Sequence, residues 1–320
     1  IKMKNILIIG AGAMGAAFSI PLIDNGHSVV IAEPHNFKLI KKINSKKKFH
    51  PSLNINLPKK INIKKFSSEI LNYKWDLIVI AVSSIGIDLI GKNLSKIKKK
   101  LPILVLTKGL KYDCGNLISM SSLLRKYNKS LNISVLKGPC LAKELARKVK
   151  SFTVVANKNI NTAKKIGKLI STNYYQIEFS RDVNGVEFLS AIKNIYSMII
   201  GAGQWHNTSS ALFRKSIDEM KYLANYFKGK KETVYGLAGL GDLYVSAMGG
   251  RNSKMGEYLG KGYTFTKAKK RFMKNDTVEG ADLAIEIAPF IFKNFDKKKI
   301  PLMISLLDAV VKNKKLKINY

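Results

Sequence analysis

The sequence predicts an α/β protein in two parts, a doubly wound sheet over residues 1–183 followed by an all-helical domain over 184–320. Three observations lead there. An apolar run near the start is followed by patterned glycines. Strand-sized β-branched runs then alternate with helix-sized segments as far as Ser180. Beyond that point only helical periodicity with glycine-rich joints remains. A chain of 320 residues that is 46% hydrophobic can bury a full core and form two domains.

The first element is ILII (residues 6–9), which reads as a buried parallel strand because it is apolar without alternation. Gly10, Gly12 and Gly15 follow as GxGxxG, and a helix leads through Asn25 and Gly26 to a second β-branched run at 29–31. In this setting the first glycine allows the tight turn, the second lets the backbone approach a pyrophosphate, and the third lets the helix pack on the strand. The helix's free amides then hold the pyrophosphate. Gly10, Gly12, Ala13, Met14 and Gly15 are therefore the candidate cofactor-binding residues of a Rossmann-type site. Glu33 closes the second strand, where a carboxylate accepts hydrogen bonds from the adenosine ribose and repels a 2′-phosphate, so NAD(H) is expected over NADP(H). Lys38, Lys41 and Lys42 in the loop beyond it weigh the other way. Further strands are expected at 76–82, 103–107, 133–136, 152–156 and 174–179. Ligands in such sheets bind beyond the carboxyl ends of the strands, which singles out the loops Thr107-Lys108-Gly109 and Gly138-Pro139-Cys140.

The net charge of +35 invites a nucleic-acid reading. Its distribution argues against one: the lysines fall in short runs from end to end (46–48, 98–100, 297–299), with no aromatic residues interleaved. They read as solvated faces. Two cysteines, Cys114 and Cys140, without paired spacing fit a reducing compartment, and four histidines without ligand spacing give no metal site. The uncharged stretch 5–23 contains three patterned glycines and a proline, so it reads as a strand and a buried helix rather than a membrane span. No cleavable signal is visible, and a cytoplasmic protein is expected.

The segment GVEFLSAIKNIYSMIIGAG (185–203) is apolar all round a 3.6-residue period, with Phe188, Ile192, Ile195 and Ile199 on one stripe and Leu189, Tyr196 and Ile200 beside it. A helix of that kind is largely buried, and Lys193 is buried with it. Glu187 lies about 240° round the axis and is no local partner. Such a lysine needs a partner from elsewhere, a ligand, or a depressed pKa. GLAGLGD (236–242), GGRN (249–252) and TVEG (277–280) follow; each is weak alone, a turn with a capping Asp or a solvated loop.

Taken with TKGL (107–110), GPCLAKE (138–144) and AIKN (191–194), these motifs in this order resemble the bacterial NAD(P)-dependent sn-glycerol-3-phosphate dehydrogenases over nearly the whole chain. The resemblance implies reversible reduction of dihydroxyacetone phosphate to glycerol 3-phosphate, a phospholipid precursor. It implies Lys193 as proton donor and acceptor, Lys108 as a second lysine at the substrate, and Asp242 as the carboxylate orienting both. Arg251 and Asn252 match the pair that holds the substrate phosphate, with Arg251 also near the cofactor. Ala142 and Glu279 match cofactor contacts, and Gly138 and Cys140 the substrate-facing loop. On this reading Lys193, in an apolar helix with another cation nearby, has the lowered pKa that proton transfer requires. The implied partner is a small phosphorylated ketone or alcohol, without nucleic acid or stable membrane insertion, and the assembly is open to a homodimer. Cys140 stands where Ser or Thr is usual, and Gly250 replaces a common Ser, removing two hydroxyls from the substrate's surroundings. Met14 and Pro34 also depart from the commoner residues. A ketopantoate reductase or 3-hydroxyacid dehydrogenase shares GAGAMG…NGHSV and the helix lysine, but binds its carboxylate through other loops.

Overall fold

The computed structural model describes residues 2–45, 47–97 and 101–318; Lys46 and the lysine run 98–100 lie outside them. The described residues divide into two compact units, one formed by 1–108 with 120–183 and the other by 109–119 with 184–320.

The first unit contains β1 (Asn5–Ile9), α1 (Ala13–Asp24), β2 (Ser28–Glu33) and α2 (Phe37–Ser45), then the short strands β3 (Phe49–His50) and β4 (Ile55–Asn56), and β5 (Asn62–Lys65). After these come β6 (Leu77–Ile80), α3 (Ile87–Leu94) and β7 (Pro102–Val105). The chain then leaves for a hairpin of the second unit, β8 (Leu110–Asp113) and β9 (Asn116–Ser119). It returns as α4 (Met120–Tyr127), β10 (Asn132–Lys137), α5 (Ala142–Ala146), β11 (Ser151–Ala156), α6 (Ile160–Ile170) and β12 (Tyr175–Ser180). Eight strands form one sheet in the order β12-β11-β10-β7-β6-β1-β2-β5. β1 sits between β2 and β6 in parallel register, Ile6 opposite both Val29 and Leu77, and Ile6 to Ile9 are wholly buried, as an unalternated apolar run requires. The sheet is mixed rather than uniformly parallel: β10 and β11 pair antiparallel, and β12 follows β11. The short connection through α5, which packs against α1, turns the chain back at that edge. β5, a four-residue edge strand NIKK, has one buried side chain and lacked a sequence signal.

In the second unit, residues 184–320 are helical where they are regular: α7 (Val183–Ala202), α8 (His206–Tyr226), α9 (Lys231–Tyr235), a π turn at Leu237–Gly241, α10 (Asp242–Ala247), α11 (Arg251–Gly260), α12 (Phe265–Phe272), α13 (Glu279–Asn294) and α14 (Pro301–Val311). Every residue from 185 to 203 is buried, so α7 is the spine of this unit's core. The hairpin packs with these helices: Tyr112 donates its amide to Glu286 on α13 at 2.8 Å, and Ser119 donates its hydroxyl to Glu187 on α7 at 2.6 Å. Residues 109–119, read from sequence as part of the first domain, therefore belong to the second unit. Among the described residues no helix is long and apolar enough to cross a membrane.

Candidate active site

In the first unit the glycine loop is built by three different constraints. Gly10 has φ +113°, and a Cβ there would lie 2.5 Å from the Ala81 carbonyl; a Cβ on Gly15 would lie 2.0 Å from that of Gly10. The fold itself demands these two. Gly12, the N-cap of α1, meets nothing within 4 Å. Its missing side chain leaves open space before the helix amides, a cradle that a Cβ would begin to fill, and the pyrophosphate of a dinucleotide fits it. Ala13 and Met14, half-buried, open α1 beside it. The Ala11 peptide between these glycines is held at both ends. Its N–H donates to Glu33 Oε2 at 2.6 Å, and its carbonyl accepts from His50 Nε2 at 3.0 Å, a donor because Nδ1 accepts the Leu53 amide.

Glu33 is more occupied than its sequence position suggests. It is 7% exposed, and Oε1 also accepts the amides of His35 and Asn36 at 2.9 and 3.0 Å. Three backbone donors thus fix its charge at the end of β2, and its first role is to brace the loop. His50, wholly buried, had no functional signal in the sequence.

At the carboxyl ends of β7 and β10 stand the two loops picked from sequence. Lys108 is half-buried and follows Thr107, whose hydroxyl donates to the Val82 carbonyl at 2.8 Å. Gly138, with φ +122°, turns the chain out of β10. Cys140 is half-buried against the first unit's core, and Ala142 begins α5.

The second unit answers the question of the buried lysine. Lys193 on α7 is 6% exposed and its Nζ donates to Asp242 Oδ1 at 2.7 Å and to Ser246 Oγ. Both side chains of the ion pair are almost wholly buried, at 7% and 3% exposure. The π turn delivers Asp242 to the start of α10, and Ser246, one turn later on the same face, completes the grip. Within this unit the charge beside Lys193 is the Asp242 carboxylate, and the ion pair holds the ammonium in place. Ser246 was missed; the only signal for it is its four-residue spacing from Asp242.

One residue on, Asn194 donates to Glu279 Oε2 at 3.4 Å, and Glu279 Oε1 lies 3.5 Å from the Arg251 guanidinium. Asn252 accepts the Gly280 amide through its Oδ1 at 2.8 Å, tying the starts of α11 and α13 together. Arg251 and Glu279 are each more than half exposed. α11 begins after Gly250 with no side-chain cap on its amides. The structure thus brings Lys193, Asp242, Arg251, Asn252 and Glu279 onto the facing starts and middles of four helices of one unit.

The chain is 30% identical to the NADP(+)-dependent glycerol-3-phosphate dehydrogenase of Archaeoglobus fulgidus, over 86% of either chain. It is 32% identical to a glycerol-3-phosphate dehydrogenase (NAD(P)+) of Clostridium botulinum, over 84% of this chain and 82% of that one. The crystal structure of glycerol-3-phosphate dehydrogenase from Coxiella burnetii shares the fold, with a TM-score of 0.87 at 23% identity over 98% and 96% of the two chains. The glycine cradle and the buried lysine lie, respectively, within residues 5–163 and 182–318, the spans matched by the N-terminal and C-terminal descriptions of one family, and the chain belongs to that family, the NAD-dependent glycerol-3-phosphate dehydrogenases.

Proposed function

We propose that the protein reduces dihydroxyacetone phosphate to sn-glycerol 3-phosphate, reversibly, in the cytoplasm and in support of phospholipid synthesis. The observation that carries the reading is Lys193, a buried ammonium gripped by Asp242 and Ser246. A ketone carbon that receives hydride leaves charge growing on its oxygen, and a positioned ammonium supplies the proton that quenches it. Asp242 and Ser246 hold the Lys193 ammonium in place and aim it. Bound at the glycine loop, the nicotinamide cofactor supplies the hydride. Lys108 serves as the second cation at the substrate.

Arg251 and Asn252 hold the substrate phosphate. A guanidinium fork takes two oxygens at once, and the uncapped amides at the start of α11 add the positive end of a helix dipole. Since Asn252 spends its Oδ1 on Gly280, its Nδ2 is the group that faces a phosphate oxygen. Gly138 and Cys140 line the substrate loop, and Ala142, Arg251 and Glu279 touch the cofactor. NADH is the better reductant, because the Glu33 carboxylate is pinned by three amides and cannot swing away from a 2′-phosphate.

The test is NADH oxidation by the pure protein against dihydroxyacetone phosphate, ketopantoate and short 3-oxoacids. A clear preference for either of the latter overturns the assignment.

A further inference from the structure

Lys137 closes β10 just before the Gly138-Pro139-Cys140 loop, and it is 2% exposed. Its ammonium donates to three successive carbonyls, those of Val105, Leu106 and Thr107, at 3.3, 3.1 and 2.6 Å. The β7–β10 ladder makes its last pairing at Val105 opposite Val135, so the Leu106 and Thr107 carbonyls lie past the end of the regular pairing. Both residues are 6% exposed, and buried carbonyls that run off a ladder need donors. Three N–H groups on one tetrahedral nitrogen fit three carbonyls that fan around it.

The shortest of these bonds goes to the Thr107 carbonyl, whose peptide bond carries the nitrogen of Lys108. The Thr107 side chain is tied in turn to the end of β6 through Val82, while Leu106 donates its amide to Ile80. The backbone that launches Lys108 is therefore fixed to β6 on one side and, through one lysine, to β10 on the other. We propose that Lys137 is a positioning residue for the reaction: its ammonium sets the place from which Lys108 reaches the substrate. This rests on the reading of Lys108 as a group at the substrate. A misplacement of about 1 Å in such a group is enough to cost on the order of 10²-fold in rate.

The experiment is a double-mutant cycle in the full chain between Lys137→Met and Lys108→Ala, read as kcat and KM for dihydroxyacetone phosphate, with NADH affinity and melting temperature measured alongside. Lys137→Met keeps the stem and removes the donors. It is expected to bind NADH within about 3-fold of the parent and to lose about 10- to 100-fold in kcat/KM, divided between kcat and KM as Lys108→Ala divides it. The double variant should then be no slower than Lys108→Ala alone, because a residue that acts through Lys108 has nothing left to position. Multiplying losses, or a Lys137→Met enzyme with parental kinetics beside a crippled Lys108→Ala, overturn the inference and leave the function standing. An inert Lys108→Ala overturns the reading of Lys108 itself, and the inference with it. If Lys137→Met fails to fold, Lys137→Gln, which keeps an amide donor, takes its place in the cycle. Should neither bind NADH, Lys137 is a residue of folding and the proposal fails.

Discussion

Replacing Lys193 by methionine separates chemistry from packing, and the structure changes what the substitution should do to stability. From sequence alone, exchanging a buried amine for a thioether removes a desolvation cost and looks harmless. The Asp242 carboxylate, 3% exposed and 2.7 Å from the ammonium, reverses that sign. Breaking a buried pair by removing one partner strands the other charge, at a cost of about 3–5 kcal/mol. For a unit of this size that corresponds to a fall in melting temperature of about 6–20 °C. Turnover should fall by about 10²–10⁴-fold, the usual contribution of a positioned acid. Adding Asp242→Asn removes the stranded charge, so the double variant should regain most of the lost stability and none of the activity. Calorimetry and an NADH-oxidation assay on the parent, both single variants and the double variant measure all of this. A methionine enzyme that turns over at the parental rate, or one as stable as the parent with no gain from the second change, refutes the reasoning.

Arg251→Lys keeps the charge but loses the fork, so KM for dihydroxyacetone phosphate should rise by about 10-fold or more while NADH affinity changes less; steady-state kinetics with each substrate varied decide it. Glu33→Gln removes the fixed charge and sets an amide NH₂ against backbone donors, so NADH binding should weaken while the NADPH-to-NADH ratio of kcat/KM rises; an unmoved ratio rejects Glu33 as the selector. Glu219 on α8 accepts the Leu302 and Met303 amides at the start of α14, and burial holds its carboxyl above the ordinary 4.5. The folded protein therefore retains that proton longer than the unfolded chain, and this contribution to stability is complete below 4.5 and lost as the pH rises through the folded value. Glu219→Gln does not titrate, so the parent's advantage in melting temperature over the variant should shrink from about pH 4 to about pH 7; a widening advantage rejects the assignment.

The glycine loop was legible because each glycine answers a separate geometric demand, and the burial of Lys193 because a charge in a largely apolar helix contradicts its surroundings. What was not legible depends on tertiary partners or unusual local chemistry. Ser246 is an ordinary serine until the π turn phases α10 toward α7. His50 gains meaning only when the Ala11 carbonyl arrives beside it. The hairpin LKYDCGNLIS hid its turn: Cys114 and Gly115 both have positive φ, the two-residue mirror-image turn that usually announces itself with Asn-Gly or Asp-Gly. The direction of β11 was open too, since a link as short as that through α5 suits either sense. Lys137 passed as one lysine among many in a chain of net charge +35, and only its three carbonyls set it apart.

The hairpin's allegiance has a consequence in time. Tyr112 and the Glu286 that accepts its amide are 174 residues apart, so a ribosome adding roughly 5–20 residues per second needs about 9–35 s to make the second after the first. Until Glu187 of α7 is made, 68 residues after Ser119, β8 and β9 form a ribbon without any of its helices, and an isolated two-stranded ribbon is marginal in water; α13 arrives last. The same chain passes from one unit to the other three times, after residues 108, 119 and 183. No single cut frees the second unit whole: one after 183 leaves its hairpin on the first unit, and a fragment beginning at 184 is born without the strands that donate to Glu187 and Glu286.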